Sequence, residues 1–362
     1  MQVLGPQLKW NIGRILPYGV IFLVMGLVFV YSDKLAVGEG PVPEGAINPD
    51  GEVIFFASFA VFGLGILVGV LEVVFVNRWF RDYNLWKTII YKFLLYVVLF
   101  TIIISLVYPP MASIDLDVSL LDDRVWQQFR AFWGSVALWS TGLQLTFSLL
   151  LCLIYGAISE HLGHKVLVNF FLGRYHRPKE EERIFLFLDM YDSTTIAEDL
   201  GHTKYFEFLQ RYYNDLADAI IKNEGEVYQY IGDEIVITWP KAKGIRNAQC
   251  IRCFFEMKKA LDTKANRYTK AFGHVPRFKG GMHMGMVTTG EVGALKKEIV
   301  FTGDVLNTAA RIQGLCKKYQ TDFLVSDTVH NALGESDIMN FKALGSIELK
   351  GKKEKVTLHS IV

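Results

Sequence analysis

Residues 185–201, FLFLDMYDSTTIAEDLG, run from an apolar stretch into an aspartate and then into a Ser-Thr-Thr cluster. The length and composition of IFLFLD, residues 184–189, predict a buried strand. A carboxylate desolvated at the end of such a strand without a partner costs several kcal/mol. Asp189 is therefore either a strand-end residue that reaches solvent or a ligand for something positive. Ser193 or Thr194 then serves as the N-cap of a following helix. A second helix carries Phe206, Leu209, Tyr213, Leu216 and Ile220 as its apolar stripe and ends at Gly225.

Further along, EVYQYIGDEIVITW alternates on both sides of a Gly-Asp turn, the pattern of a β-hairpin with Asp233 at its tip. A helix is expected over about 243–266, with Cys250 and Cys253 as two small helix residues rather than a metal or redox pair. RFKGGMHMG and MVTTGEVG read as another hairpin, a helix near Asp304 carries Asn307 and Arg311, and the tail reads as short strands. The order predicts an α+β sheet with helices on one face.

The rest of the chain differs in kind. Residues 1–159 hold 20 charged side chains against 55 in residues 160–362. Four apolar stretches, roughly 15–32, 53–76, 88–108 and 131–159, match the ~20 helical residues that cross a ~30 Å bilayer core. Lys9, Arg14, Arg78, Arg81, Lys87, Lys165, Arg174, Arg177 and Lys179 flank one side of these spans. Segments 33–52 and 109–130 on the other side are mainly acidic. The positive-inside rule then puts both termini and the polar half in the cytoplasm, on an inner, multi-pass membrane protein. The expected division is a transmembrane domain over 1–159, a polar connector over 160–183 and a soluble domain over 184–362. Glu72 and Lys92 fall near the inner ends of spans two and three, where a structural pair and a signalling role are both open. Gly63, Gly65 and Gly69 suit close helix packing. A net charge of +1 argues against nucleic acid as a partner.

If the strand ending in Asp189 neighbours the hairpin ending in Asp233, two carboxylates emerge together. Such a pair needs a shared proton or cations between its members, and Mg²⁺ is typically held by one or two carboxylates with substrate phosphates. The alternative is that Asp233 is simply a favoured turn residue.

The soluble half resembles the catalytic domain of the class III adenylyl/guanylyl cyclases over about 184–362. The resemblance rests on FLDMYDSTT, YIGDE, FKGGMHMG, GDVLNTAAR and LKGKKE in that order. It implies a ferredoxin-like, palm-type α+β domain that converts ATP to 3′,5′-cyclic AMP and pyrophosphate. Asp189 and Asp233 would hold two Mg²⁺ ions, with Mn²⁺ as a substitute and the Met190 carbonyl as an extra ligand. Asn307 would orient the ribose, Arg311 would stabilise charge at the α-phosphate, and Lys350 with nearby Lys352 would bind the β- and γ-phosphates. The two sets come from opposite subunits in this family, which implies a homodimer. Gln229 and Val300 stand at the purine-selecting positions and match neither the adenylyl nor the guanylyl pattern. A guanylyl or dual-specificity enzyme, and a nucleotide-binding membrane scaffold without turnover, are the alternatives. Lys279 takes the place of a common arginine, and Glu234 that of a common alanine.

Overall fold

The computed structural model describes residues 5–37, 51–76, 79–80, 84–116, 118–295, 297–334, 340–348 and 355–361. It divides into two compact units, one of Leu8–Val168 and the other containing Asn169–Val362.

The first unit is helical. Helices α1 (Pro6–Val37), α2 (Gly51–Leu71, continued by a π-turn at Glu72–Val76), α3 (Leu85–Asp115) and α5 (Val136–Leu162) each contain a stretch long and apolar enough to cross a membrane. The fourth differs from the expected span. Residues 123–133 form a separate helix, α4 (Asp123–Trp133), and Gly134–Ser135 breaks the chain before α5 begins. The Ser135 hydroxyl accepts from the Leu138 N–H at 3.2 Å, so the cap itself starts the new helix.

Gly65 and Gly69 let α1 and α2 touch. A Cβ at Gly65 would lie 2.7 Å from the Tyr18 carbonyl oxygen, and one at Gly69 3.0 Å from that of Ile15, whereas Gly63 faces open space. Glu72 and Lys92 form a buried ion pair, and the Tyr96 hydroxyl donates to the other Glu72 oxygen at 2.9 Å. The π-turn therefore carries a carboxylate whose two oxygens both have partners. After Gly163, helix α6 (His164–Phe171) follows. Arg78 and Arg81 lie outside the described residues.

The second unit is built on a sheet in the order β2-β3-β1-β4-β6-β8-β7, with β5 paired to β4; β2 is Glu226–Ile231, β5 Glu298–Thr302, β6 Phe323–Ser326, β7 Phe341–Glu348 and β8 Lys355–Ile361. Strand β1 (Lys179–Met190) lies antiparallel between β3 (Glu234–Pro240) and β4 (Phe278–Val292). It starts five residues before the expected strand. Residues 179–183, read as solvated connector, pair with Thr289–Gly285 of β4, and Arg183 is buried. The Arg183 guanidinium donates to Glu226 (2.5 Å), Glu181 (3.3 Å) and Thr238 (3.1 Å) and lies 4.6 Å from the Phe301 ring. Those partners are spread over the strands, which is why the charge run alone did not reveal a buried arginine.

Strand alternation in β1 feeds two cores. Ile184, Leu186, Leu188 and Met190 pack with Phe208, Tyr212, Leu216, Phe254 and Met257 on one face. Phe185 and Phe187 pack with Val305 and Ala309 on the other. Helices thus cover both faces rather than one: α8 (His202–Lys222) and α10 (Gln249–Thr263) on the first, α12 (Asp304–Gly314) on the second. The buried side of α8 is Phe208, Tyr212, Leu216, Ala219 and Ile220, so the expected stripe is partly out of register, and Phe206 is exposed. The two cysteines of α10, Cys250 and Cys253, are buried among core residues with free thiols, and burial pushes the Cys250 thiol up to about 12.

Two further expectations change. RFKGGMHMG and MVTTGEVG form one 15-residue strand, β4, not a hairpin. Its glycines serve packing: a Cβ on Gly281 would overlap the backbone of Gln313 and Ala309, and one on Gly285 would lie 2.8 Å from Val305. The helix expected over 243–266 is broken. Lys241–Ile245 (α9) leads through left-handed Asn247 and Ala248 into α10, and Ala265–Phe272 (α11) follows.

Candidate active site

The register of β1 and β3, ending with Leu188 opposite Ile235, carries Asp189 to the position across from Glu234. Strand alternation turns Asp189 to the same face as Phe185 and Phe187, the face covered by α12. There its Oδ2 accepts from Gln313 Nε2 of α12 at 3.1 Å, and Lys279 Nζ of β4 lies 3.0 Å away. Lys279 is the cross-strand partner of Asp189 and also lies over the Tyr191 ring. The half-buried acid at the end of the apolar run thus has a cationic partner within its own sheet.

Asp233 occupies the tip of the hairpin formed by β2 (Glu226–Ile231) and β3, after Gly232 at φ +63. The positive φ is one that a turn glycine adopts without strain. Tyr213 of α8 fixes the tip by donating to the Gly232 carbonyl at 2.6 Å, and its ring packs 4.5 Å from Tyr230. The two aspartates act on common neighbours. Burial, then the charges of Asp189 and Asp233, push the Glu234 carboxyl up. Burial, then Asp233 and more weakly Asp189, likewise raise the Tyr205 hydroxyl. Among the described residues no three acidic, histidine or cysteine side chains gather as a ready metal cage. The donor set is instead two carboxylates at one end of the sheet, with an ammonium already answering the negative charge of Asp189. That set fits a cation that takes its remaining ligands from substrate and water.

The Met190 side chain is buried in the first core, with its position paired to Phe278. Next to it, α7 (Ser193–Leu200) starts after Asp192, which takes φ 55 and makes no side-chain cap. The expected cap by Ser193 or Thr194 is therefore absent: both lie inside the helix. An uncapped first turn presents backbone N–H groups and the positive end of the helix dipole.

Helix α12 has two working faces. Val305, Thr308, Ala309, Ile312 and Gln313 are buried toward the sheet. Asn307 and Arg311, one turn apart, are exposed and half-buried respectively on the other side. Arg311 Nη1 is shielded from solvent yet has no hydrogen-bond partner, a condition costly for a charged donor unless an anion completes it. The structure therefore brings Asp189 to the inner face of α12 and sends Asn307 and Arg311 outward.

Gln229 is exposed on β2 and Val300 is half-buried on β5 (Glu298–Thr302). Their chain neighbours Tyr228 and Phe301 are in contact, with ring centroids 4.9 Å apart, so the two positions lie in one neighbourhood. Lys350 and Lys352 lie outside the described residues. Gln313 escaped sequence reasoning altogether. Its place on the face of α12 opposite Arg311 follows from helical spacing, but nothing in the sequence says that this face meets the end of β1.

A model of the adenylate and guanylate cyclase catalytic domain matches residues 176–362. Adenylate cyclase 2 of Rhizobium meliloti (strain 1021) is 35% identical over 204 residues, 56% of this chain and 56% of that protein. Adenylate cyclase 1 of the same organism is 29% identical over 188 residues, 50% of this chain and 28% of that protein. The chain thus spans about half of the first relative's length and less of the second's. A solved structure of a bacterial light-regulated adenylyl cyclase aligns with TM-score 0.45 at 22% identity, over 51% of this chain and 91% of that one. With the domain model matching more than half of its residues, the chain belongs to the adenylate and guanylate cyclase catalytic domain family.

Proposed function

We propose that this chain is a membrane-anchored nucleotidyl cyclase that makes 3′,5′-cyclic AMP and pyrophosphate from ATP at sites shared by two copies. In the reaction the ribose 3′-oxygen attacks the α-phosphorus, and the bond from that phosphorus to the bridging oxygen of the β-phosphate breaks. Asp189 and Asp233, with the Met190 carbonyl, are the proposed ligands of two Mg²⁺ ions. Held there, such ions would supply a lowered pKa for the attacking hydroxyl and positive charge facing the leaving phosphates. Asn307 orients the ribose, and Arg311 donates to the oxygens of the α-phosphate as charge grows on them. Lys350 and Lys352 hold the outer phosphates. The uncapped start of α7 suits phosphate oxygens near the aspartates.

The observation that carries this reading is the division of α12. Gln313 tethers Asp189 on the inner face, while Arg311 turns the opposite way with a shielded donor lacking a partner. Residues that diverge within one chain can converge across a two-fold interface, and one complete set per chain gives two equivalent sites in a homodimer. The paired charge pattern of the loops supports a cytoplasmic catalytic half on an inner membrane.

Guanylyl or dual specificity is the second reading, favoured by Gln229. Its amide offers both a donor and an acceptor to a purine edge, and Val300 offers only its backbone. The test is an assay of the purified full chain with ATP and with GTP, each with Mg²⁺ and with Mn²⁺, and with Asp233→Ala as the blank. Cyclic AMP in excess is the expected product. Cyclic GMP in excess would overturn the adenylyl assignment, and no product from either nucleotide would favour a scaffold.

A further inference from the structure

The segment between α3 and α5 is a structured surface whose composition fits one environment. Asp122 accepts from the Arg124 N–H at 3.0 Å and pairs with its guanidinium at 2.9 Å, which fixes the start of α4; Gly134 ends it. Val125 is fully buried, and Phe129 and Phe132 pack on Tyr108 of α3 with centroids 5.7 and 4.4 Å away. Trp126 and Trp133, seven residues apart and so on one stripe, flank this buried strip and stay exposed at 42% and 39%. Asp123, Arg124, Gln127 and Arg130 occupy the remaining arc, all exposed.

The long helices on either side of α4 also expose apolar residues. On α5 these are Val136, Trp139, Leu143 and Phe147 at helical spacing, and α3 shows Val98, Ile102 and Leu106 at the same kind of spacing. Such stripes on spanning helices face lipid. An 11-residue helix is about 16 Å long and cannot cross a bilayer core. A helix with a wide apolar arc, tryptophans and a charged arc lies instead in the membrane interface. We infer that α4 is an interfacial helix seated on the lipid bilayer at the N-terminal end of α5, the end away from the catalytic half along the chain. The indoles of Trp126 and Trp133 sit at the headgroup–acyl boundary, and Arg130 lies on the polar edge at the level of the lipid phosphates. This rests on the reading that α3 and α5 span a bilayer.

The test is spin labelling of the full chain in nanodiscs of phosphatidylcholine and phosphatidylglycerol. Labels go in one at a time through Trp126→Cys, Gln127→Cys, Trp133→Cys and Phe147→Cys; the four native cysteines are buried. Dissolved oxygen should relax the labels at 126, 133 and 147 severalfold more than a water-soluble nickel chelate does, with the order reversed at 127. The first two should read shallow, and 147 deep. Chelate dominance at 126 and 133 with oxygen dominance at 147 overturns the interfacial helix while the spans stand. Chelate dominance at 147 overturns the spans as well. Oxygen dominance at 127 overturns the proposal by burying the polar arc. A fluorescence measurement avoids the labels: Trp126→Phe/Trp133→Phe should remove emission that lipids brominated near the headgroup quench. An unchanged quenchable share overturns the proposal.

Discussion

Replacing Lys279 with methionine removes the positive charge that faces Asp189 and keeps most of the side-chain volume. At 3.0 Å, the attraction of a unit pair is about 1.4 kcal/mol at the dielectric constant of water and about 5.5 kcal/mol at an effective value of 20. The Lys279 and Asp189 side chains are 19% and 30% exposed, so solvent screens much of that, and the lower part of the range, about 1.4–2 kcal/mol, applies. A cation binding Asp189 must displace this ammonium. Lys279→Met should therefore tighten Mn²⁺ binding by about 10- to 30-fold. Gln313 still donates to Asp189 in the variant, so the carboxylate keeps its aim. The assay is titration of the nucleotide-free full chain with Mn²⁺, following the resonance signal of the free ion. Unchanged or weaker binding in Lys279→Met would refute the idea that lysine and cation compete for one carboxylate.

Three further outcomes follow from packing and charge. Arg183→Met removes the buried guanidinium that pairs with Glu226 and Glu181, and losing one member of a buried network of this kind costs about 3 kcal/mol; thermal unfolding should report it, with Glu226→Gln clearly milder. Gly281→Ala forces a methyl against the backbone of α12; a cost of about 3 kcal/mol would lower Tm by about 6–12 °C and displace Asn307 and Arg311, so turnover should fall with it. Burial alone would raise the Asp322 carboxyl, but hydrogen bonds from Lys258 and Tyr191 and the charges of Lys258 and Arg277 hold it below its usual value. Its contribution is therefore complete above the unfolded value near ~4 and is lost as pH falls through the lower folded value. The Tm gap between wild type and Asp322→Asn should be present at pH 7 and shrink below pH 4; a gap constant with pH would contradict this.

The legible parts of the chain were those with strong local pattern. The hairpin around Gly232–Asp233, the helix bearing Asn307 and Arg311, and the four apolar helices all follow from spacing and turn chemistry. What escaped depends on long-range contact. Gly285 reads as a turn residue until Val305 is packed against it, and then the glycine-rich run is seen as one strand. Arg183 reads as solvated until Glu226 and Thr238 arrive from neighbouring strands. Phe206 reads as a core residue of α8 because both it and Phe208 fit an apolar stripe, and only the sheet decides which side is covered. At the site, the two aspartates were legible as residue types; Gln313 and the Lys279 pair were not, since they join α12 and β4 to β1 from positions far along the chain.

In the proposed dimer each site takes its carboxylates from one copy and Arg311 from the other. Asp189→Ala and Arg311→Ala, expressed as full chains and purified separately, should each be inactive. Mixed one to one under conditions that exchange subunits, half of the dimers become heterodimers with one intact site each, so activity should return to about a quarter of wild type. A mixture as inactive as its parts, with heterodimers present by mass, would contradict the shared site.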